Sequence, residues 1–162
     1  MTDPTTDQVS VTVEINAPAE RVFAMISDVT RMGEWSPENE SAKWLGGATG
    51  PQPGARFRGT NRNGKKKWNT VAKIEQLEPC RAFSFHVSAI GCKVAEWRYA
   101  LEPTAAGGCR ITETWIDERG WLAKTLGKPV SGVDDRAPHN RAGIEHTLQN
   151  LKAAAESATA PS

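Results

Sequence analysis

The sequence lacks the features that mark membrane, nucleic-acid-binding and secreted proteins. Its 20 basic and 19 acidic residues leave a formal charge of +1, which provides no basic surface for nucleic acid. The first residues, MTDPTTDQ, are polar where a signal peptide is apolar, and no segment has the roughly twenty apolar residues of a membrane span. We therefore expect a cytoplasmic protein, monomeric or homodimeric, with neither a nucleic-acid partner nor an integral membrane segment.

Cysteine is also scarce, and common catalytic motifs are missing. Cys80, Cys92 and Cys109 form no CxxC pair, and their odd number argues against a disulfide framework. The sequence contains no GxSxG, HExxH or GxGxxG. We therefore expect no metal and no cofactor, and no residue can be assigned a catalytic role from a motif.

The few histidines are predicted to face away from the apolar side of their elements. His86 alternates with Phe85 and Val87 in a predicted strand, and His139 and His146 lie off the apolar face of a predicted helix. No histidine is then placed to act as a general base, which argues against an enzyme.

The rest of the sequence alternates like a set of strands, closed by one long amphipathic segment. Residues 9–15 predict a strand, and two short helical stretches follow before residue 35. Turn signals then separate about six strands too closely spaced for crossover helices, so the sheet should be antiparallel. Asn63 and Gly64 predict a type I′ hairpin. The six strands are predicted at residues 40–45, 55–61, 66–77, 82–87, 93–102 and 109–118.

The closing segment predicts a long helix, in which Ala137, Ile144, Leu148, Leu151 and Ala155 share one face. A single antiparallel sheet can bury its inner face against one helix only by curving around it. We expect an α+β fold of about 6–7 strands in one domain, residues 9–156. Residues 119–135 predict a loop or short helix, and residues 1–8 and 157–162 predict disordered tails.

Several stretches resemble a known superfamily. PAERVFAMISD with MGEWSP, GARFRGTNRNGKKKW, WRYALEP and HTLQNLK are similar to the START-like helix-grip (SRPBCC) superfamily, and to its actinobacterial polyketide cyclase/dehydrase or lipid-transport-like members. The resemblance covers residues 9–155 and implies a helix-grip fold with two short helices between the first two strands. It also implies a range of functions, since the superfamily includes lipid carriers, aromatase/cyclases and chaperone co-activators. In the family the loop corresponding to residues 46–54 packs near the cavity, so it is either a flap or a plain loop.

Strand alternation selects the side chains that face the concave side of the sheet. Apolar residues share these faces with Asn61, Thr70 and Glu113, and so many large aromatic side chains indicate a lined cavity as well as a core. The predicted ligand-binding residues are Trp35, Phe57, Asn61, Trp68, Thr70, Phe85, Trp97, Tyr99, Glu113, Trp115 and Leu148.

Two of these positions leave alternatives open. An inward Glu113 must pair with an arginine, stay protonated or bind a polar ligand group, unless a bulge turns it to solvent. Trp35, in the turn MGEWSPE, is either a lid on the cavity or a plug at the end of the core.

A cavity without a nucleophile, base or metal favours a non-catalytic protein that binds or transports a hydrophobic or amphipathic small molecule, such as a lipid, polyketide or isoprenoid. A polyketide aromatase/cyclase is the first alternative, with Tyr99, Glu113 or Asn61 handling protons. The second is a protein-interaction module of the chaperone co-activator type, for which the sequence shows no exposed apolar stripe.

Overall fold

A curved antiparallel sheet of seven strands, in the order β1-β7-β6-β5-β4-β3-β2, dominates the computed structural model, which describes residues 7–119 and 136–157. Each predicted strand and the helix-grip arrangement are confirmed, with ends that differ by one or two residues. The strands are β1 Gln8–Ile15, β2 Asn39–Trp44, β3 Arg56–Asn63, β4 Lys66–Glu78, β5 Ala82–Ala89, β6 Cys92–Pro103 and β7 Cys109–Asp117.

The helices lie where the apolar periodicity predicts them. Helix α1 (Ala19–Ser27) and a 3-10 helix (Val29–Glu34) connect β1 to β2, and helix α2 (Arg136–Ser157) closes the fold. Ile144, Leu148, Leu151 and Ala155 of α2 are buried. One stripe of α2 therefore covers part of the concave face of the sheet, as expected for a helix whose apolar residues recur every three or four positions.

The β3–β4 hairpin differs from its predicted turn type. Asn63 pairs with Lys66, so Gly64 and Lys65 are the two central residues. Gly64 has φ +62°, but Lys65 is not among the non-glycine residues with positive φ. Because a type I′ turn needs positive φ at both positions, the type I′ prediction is wrong, although the hairpin itself is present.

Trp35 is buried at the junction of the 3-10 helix and α2. Its side chain is 3% exposed, the guanidinium of Arg31 lies 5.2 Å from its ring centroid, and its backbone oxygen accepts a hydrogen bond from Asn150 Nδ2 at 3.0 Å. A Cβ at Gly33 would lie 2.6 Å from the backbone oxygen of Glu40, so only glycine allows the 3-10 helix to approach β2 this closely. These contacts fix Trp35 as part of the core.

Some expectations lie outside the described residues. The loop or short helix predicted for residues 119–135 has only Arg119 within them, and the tail predictions concern residues that are mostly beyond them. Within the described part of the chain, no helix has the length and apolar character needed to cross a membrane.

Replacing Trp35 by alanine should lower the free energy of unfolding by about 3–5 kcal/mol, because a fully buried aromatic side chain is lost and leaves a void. Urea denaturation followed by circular dichroism measures this change. Trp44→Ala is the matched control, since Trp44 is only half-buried and its loss should lower the free energy of unfolding by less. Equal losses for both variants would contradict the core position of Trp35.

Candidate ligand-binding cavity

A cavity of about 660 Å³ lies between the concave face of the sheet and helix α2. Its walls come from β2 to β7, from residues 36–38 before β2 and from the first three turns of α2. Of the predicted ligand-binding residues, those that line it are Phe57, Asn61, Trp68, Thr70, Phe85, Trp97, Tyr99, Glu113 and Trp115. Trp35 and Leu148 are not in the lining, because both side chains are used to pack the core, where they are at most 3% exposed.

Aromatic side chains form a continuous strip along the inner face of β3, β5 and β6. The ring centroids of Phe57 and Phe85 are 5.2 Å apart, those of Phe83 and Phe85 are 5.6 Å apart, and Phe83 stacks on Tyr99 at 6.2 Å. Edge and stacked pairs at these distances hold the rings in fixed orientations. Phe57, Phe85 and Tyr99 of this strip give the cavity a largely apolar wall, and Phe83 supports them from the core.

Among the described residues that line the cavity, Glu113 has the one buried carboxyl group, and it lies opposite Tyr99 on the neighbouring strand. Tyr99 donates its hydroxyl hydrogen to Glu113 Oε1 at 2.9 Å, whereas Glu113 Oε2 has no hydrogen-bond partner. Burial raises the pKa of Glu113 from 4.5 to about 8, and the hydrogen bond from Tyr99 offsets only part of that effect. The bulge that would turn Glu113 to solvent is absent, because the β6–β7 register is regular from Ala95 to Pro103.

The protonated form of Glu113 therefore dominates at neutral pH. Burial, and then the charge of Glu113 and the hydrogen bond to it, raise the pKa of Tyr99 well above 10, so Tyr99 keeps its proton as well. Because Oε1 already accepts from Tyr99, the proton of the neutral carboxyl group resides on Oε2. The cavity wall thus contains a carboxylic acid whose O–H group has no hydrogen-bond partner among the described residues.

A second polar group in the wall is formed by side chains of β2, β3 and β4. Asn39 Nδ2 donates to the backbone oxygen of Ser41 at 3.2 Å and to Asn61 Oδ1 at 3.3 Å, and Asn61 Nδ2 donates to Thr70 Oγ1 at 3.1 Å. Asn39 is 8% exposed, and its Oδ1 has no partner. Sequence reasoning missed Asn39 because a register shift between Asn39 and Ser41 breaks the alternation of β2.

The start of α2 contributes a charged cluster to the cavity wall. Arg136 Nη1 lies 2.9 Å from Glu38 Oε1, and His139 Nε2 lies 2.8 Å from Glu38 Oε2. The Arg136 guanidinium is 5.6 Å from the ring centroid of Trp68. Both histidines border the cavity. His146 is exposed, as its place off the apolar face predicts, whereas His139 is half-buried against Glu38. The spacing of apolar residues identifies the apolar face of α2. It does not show that Glu38, which precedes β2, packs against the polar side of the helix.

The glycine-rich loop does not contribute to this lining. No residue of the segment 46–54 belongs to it, so the loop is not a flap over this cavity. Arg62 also belongs to the lining, and its Nε forms an ion pair with Glu40 Oε1 at 2.6 Å.

On the convex face, ionisable side chains of neighbouring strands form a separate cluster. His86 faces outward as predicted, with Nδ1 2.7 Å from Glu118 Oε1. The potential ligand atoms of His86, Glu96 and Glu118 lie within 4.8 Å of one another. Arg98 already engages both carboxylate oxygens of Glu96, at 2.7 and 3.0 Å, along one strand. We therefore interpret the group as an ion-pair network.

The family model described as polyketide cyclase/dehydrase and lipid transport matches residues 6–156. A polyketide cyclase-like protein of Corynebacterium glutamicum is 30% identical, with a TM-score of 0.63, over 93% of this chain and 91% of that one. No match was found among curated proteins.

More distant solved structures share the fold. A START superfamily protein of Mycobacterium smegmatis is 18% identical, with a TM-score of 0.70, over 94% of this chain and 99% of that one. The di-domain ARO/CYC StfQ from the steffimycin biosynthetic pathway is 13% identical, with a TM-score of 0.72, over 94% of this chain and 51% of that one. With its family model, curved sheet and long closing helix in agreement, the chain belongs to the polyketide cyclase/dehydrase and lipid transport family and has the START-type helix-grip fold.

Proposed function

We propose that this protein binds a hydrophobic or amphipathic small molecule, such as a lipid, polyketide or isoprenoid, and holds or carries it in the cavity. The observation that carries the proposal is a cavity of about 660 Å³ with an aromatic wall and few polar groups. Small-molecule sites typically have about 300–1,000 Å³ and combine apolar walls with a few placed polar groups. Membership of a family that includes lipid transport in its description supports the same reading.

The geometry of Glu113 suggests how the ligand is oriented. A neutral carboxyl group in an apolar wall donates a hydrogen bond without the cost of burying an ionised group. The Oε2 atom has no protein partner, so a carbonyl, ether or hydroxyl oxygen of the ligand can accept from it. Tyr99 supports this arrangement by occupying Oε1.

Filling the cavity should abolish binding. Ala72 lines the cavity and is 2% exposed, so Ala72→Phe places a ring where the ligand would lie. We expect at least about a tenfold loss of affinity for Nile red, a neutral fluorescent probe, by fluorescence titration. Val71→Phe is the matched control, because Val71 is the adjacent residue of β4 and points to the other face. Equal affinity in both variants would show that ligands bind elsewhere.

The affinity for a neutral probe with a carbonyl group should depend on pH through Glu113. Below pH about 8 the carboxyl group is protonated and donates to the probe, and above it the ionised group can no longer donate. The dissociation constant of Nile red should therefore stay constant from pH 6 to 7.5 and rise above pH 8.

Glu113→Gln keeps an N–H donor that does not titrate. This variant should bind the probe with a changed but measurable affinity that stays level across the same pH range. A wild-type dissociation constant that does not change up to pH 9.5 would contradict the assigned role of Glu113.

A second candidate function is proton-transfer catalysis on the bound molecule, as in a polyketide cyclase or dehydrase. One observation favours it: a carboxyl group whose pKa is about 8, within a ligand-sized cavity and hydrogen-bonded to Tyr99. General acids and bases work best when their pKa lies near the operating pH. Glu113 could then donate to, or accept from, a carbon or oxygen next to a ligand carbonyl.

Tyr99→Phe separates the two candidates. If the protein is a cyclase, a poly-β-ketone mimic should be converted, and Tyr99→Phe should lower kcat by about 10- to 100-fold with little effect on KM. If it is a carrier, no conversion should be detected by mass spectrometry, and native mass spectrometry of protein from its own host should show a co-purified ligand. Turnover that is unaffected by both Tyr99→Phe and Glu113→Gln would exclude this pair as the catalytic group.

A further inference from the structure

We infer that the ligand carries two oxygen functions separated by an apolar middle, one held by Glu113 and the other by the Asn39–Asn61–Thr70 group. This inference rests on the proposed function and narrows its ligand class. It distinguishes a molecule oxygenated at two distant positions from a lipid with a single polar end.

The first observation is that the cavity wall contains two unsatisfied polar atoms. Among the described residues, the buried side-chain nitrogen and oxygen atoms without a hydrogen-bond partner are Asn39 Oδ1 and Glu113 Oε2. Both residues line the cavity, at 8% and 3% exposure. Buried polar groups in folded proteins are nearly always hydrogen-bonded, so two exceptions in one cavity point to partners on the bound molecule.

The second observation is that the two groups lie at different levels along the strands. Glu113 of β7 is level with Tyr99 of β6 and with Phe83 of β5. Ala72 of β4 is level with Val87 of β5, and Thr70 lies two residues further toward the β3–β4 turn. Asn61, and with it Asn39, is level with Trp68, two residues further again. The two groups are therefore offset along the strands by six residues at Thr70 and by eight at Asn39.

The third observation is that the wall between the two groups is largely apolar. Phe57, Ala72, Phe85 and Val87 line the cavity there without a side-chain donor or acceptor, and Trp97 and Trp115 add only their indole N–H groups. A ligand that reaches both groups must therefore have an apolar or aromatic middle. Its two ends need opposite abilities: an acceptor for the protonated Glu113 and a donor for Asn39 Oδ1. A hydroxyl group serves at either end.

A ligand with one polar end would leave one of the two groups without a partner. Sites built to hydrogen-bond an oxygen function discriminate strongly against analogues that lack it, because their own buried polar atoms then stay unpaired. The cavity should therefore prefer a doubly oxygenated molecule over a singly oxygenated one of equal length, although the second oxygen makes the free molecule better hydrated.

The test compares 1-dodecanol with dodecane-1,12-diol as competitors that displace Nile red from the protein. Wild-type protein should bind the diol at least as tightly as the alcohol. Leucine has a volume similar to that of asparagine but no amide. Asn39→Leu should therefore lower the affinity for the diol about tenfold, while the affinity for the alcohol changes by less than about threefold. Asn69→Leu is the matched control, because Asn69 also lies on the sheet but hydrogen-bonds Thr60 on its exposed side.

Thr70→Val provides a second variant in case Asn39→Leu does not fold, which circular dichroism reports. This variant removes the hydroxyl group that accepts from Asn61 and leaves Asn39 unchanged. It should also lower the affinity for the diol, by a smaller factor than Asn39→Leu does. If both alcohols bind and neither variant changes the preference for the diol over the alcohol, the inference of a ligand with two oxygen functions is overturned and the proposed function stands. If neither alcohol nor Nile red binds the wild-type protein, the proposed function fails, and this inference fails with it.

Discussion

In the described part of the chain, one long helix and the short α1 face a seven-stranded sheet, and the rest of the structure depends on that mismatch in width. With neighbouring strands about 4.8 Å apart, seven strands span roughly 29 Å, whereas a helix with its side chains is only about 10–12 Å wide. Curvature brings the sheet toward α2 but does not close the difference. The apolar stripe of α2 packs against one part of the sheet, and the aromatic side chains of β3 to β6 face a cavity in the remainder.

Most of this arrangement could be predicted from the sequence, because a strand with no bulge places every second residue on one face. Regular pairing of β6 with β7 is what makes Tyr99 and Glu113 neighbours inside the cavity, and both residues follow directly from the alternation. The same rule placed His86 on the outer face of the sheet. The low dielectric of the interior then determines the state of Glu113, since an ionised carboxyl group there would lose its hydration without gaining a cation.

The parts that sequence reasoning missed depend on irregular or long-range contacts. Asn39 faces inward because of a bulge in β2, and a bulge leaves no clear pattern in one sequence. The contacts of Arg136 and His139 with Glu38 join residues about a hundred positions apart, so neither helical periodicity nor local composition could reveal them. For Leu148 and Trp35 the apolar character was correct, but a hydrophobic residue alone does not tell a core position from a cavity wall.

The pairing of β1 with β7 also has a consequence for how the chain folds. Gln8 lies opposite Ile116 and Ile15 opposite Cys109. Among the described strands, β1 is thus the earliest in sequence and pairs with the latest. The hairpins from β2 to β7 pair segments that are close in sequence. By contrast, the backbone groups of β1 have no strand partner until β7 has formed. In such non-local pairing, the chain loses the entropy of closing a long loop before any strand contact forms. Folding therefore slows to the range of milliseconds to seconds. During synthesis, β1 is thus made before the other described strands but is the last of them to gain its strand partner.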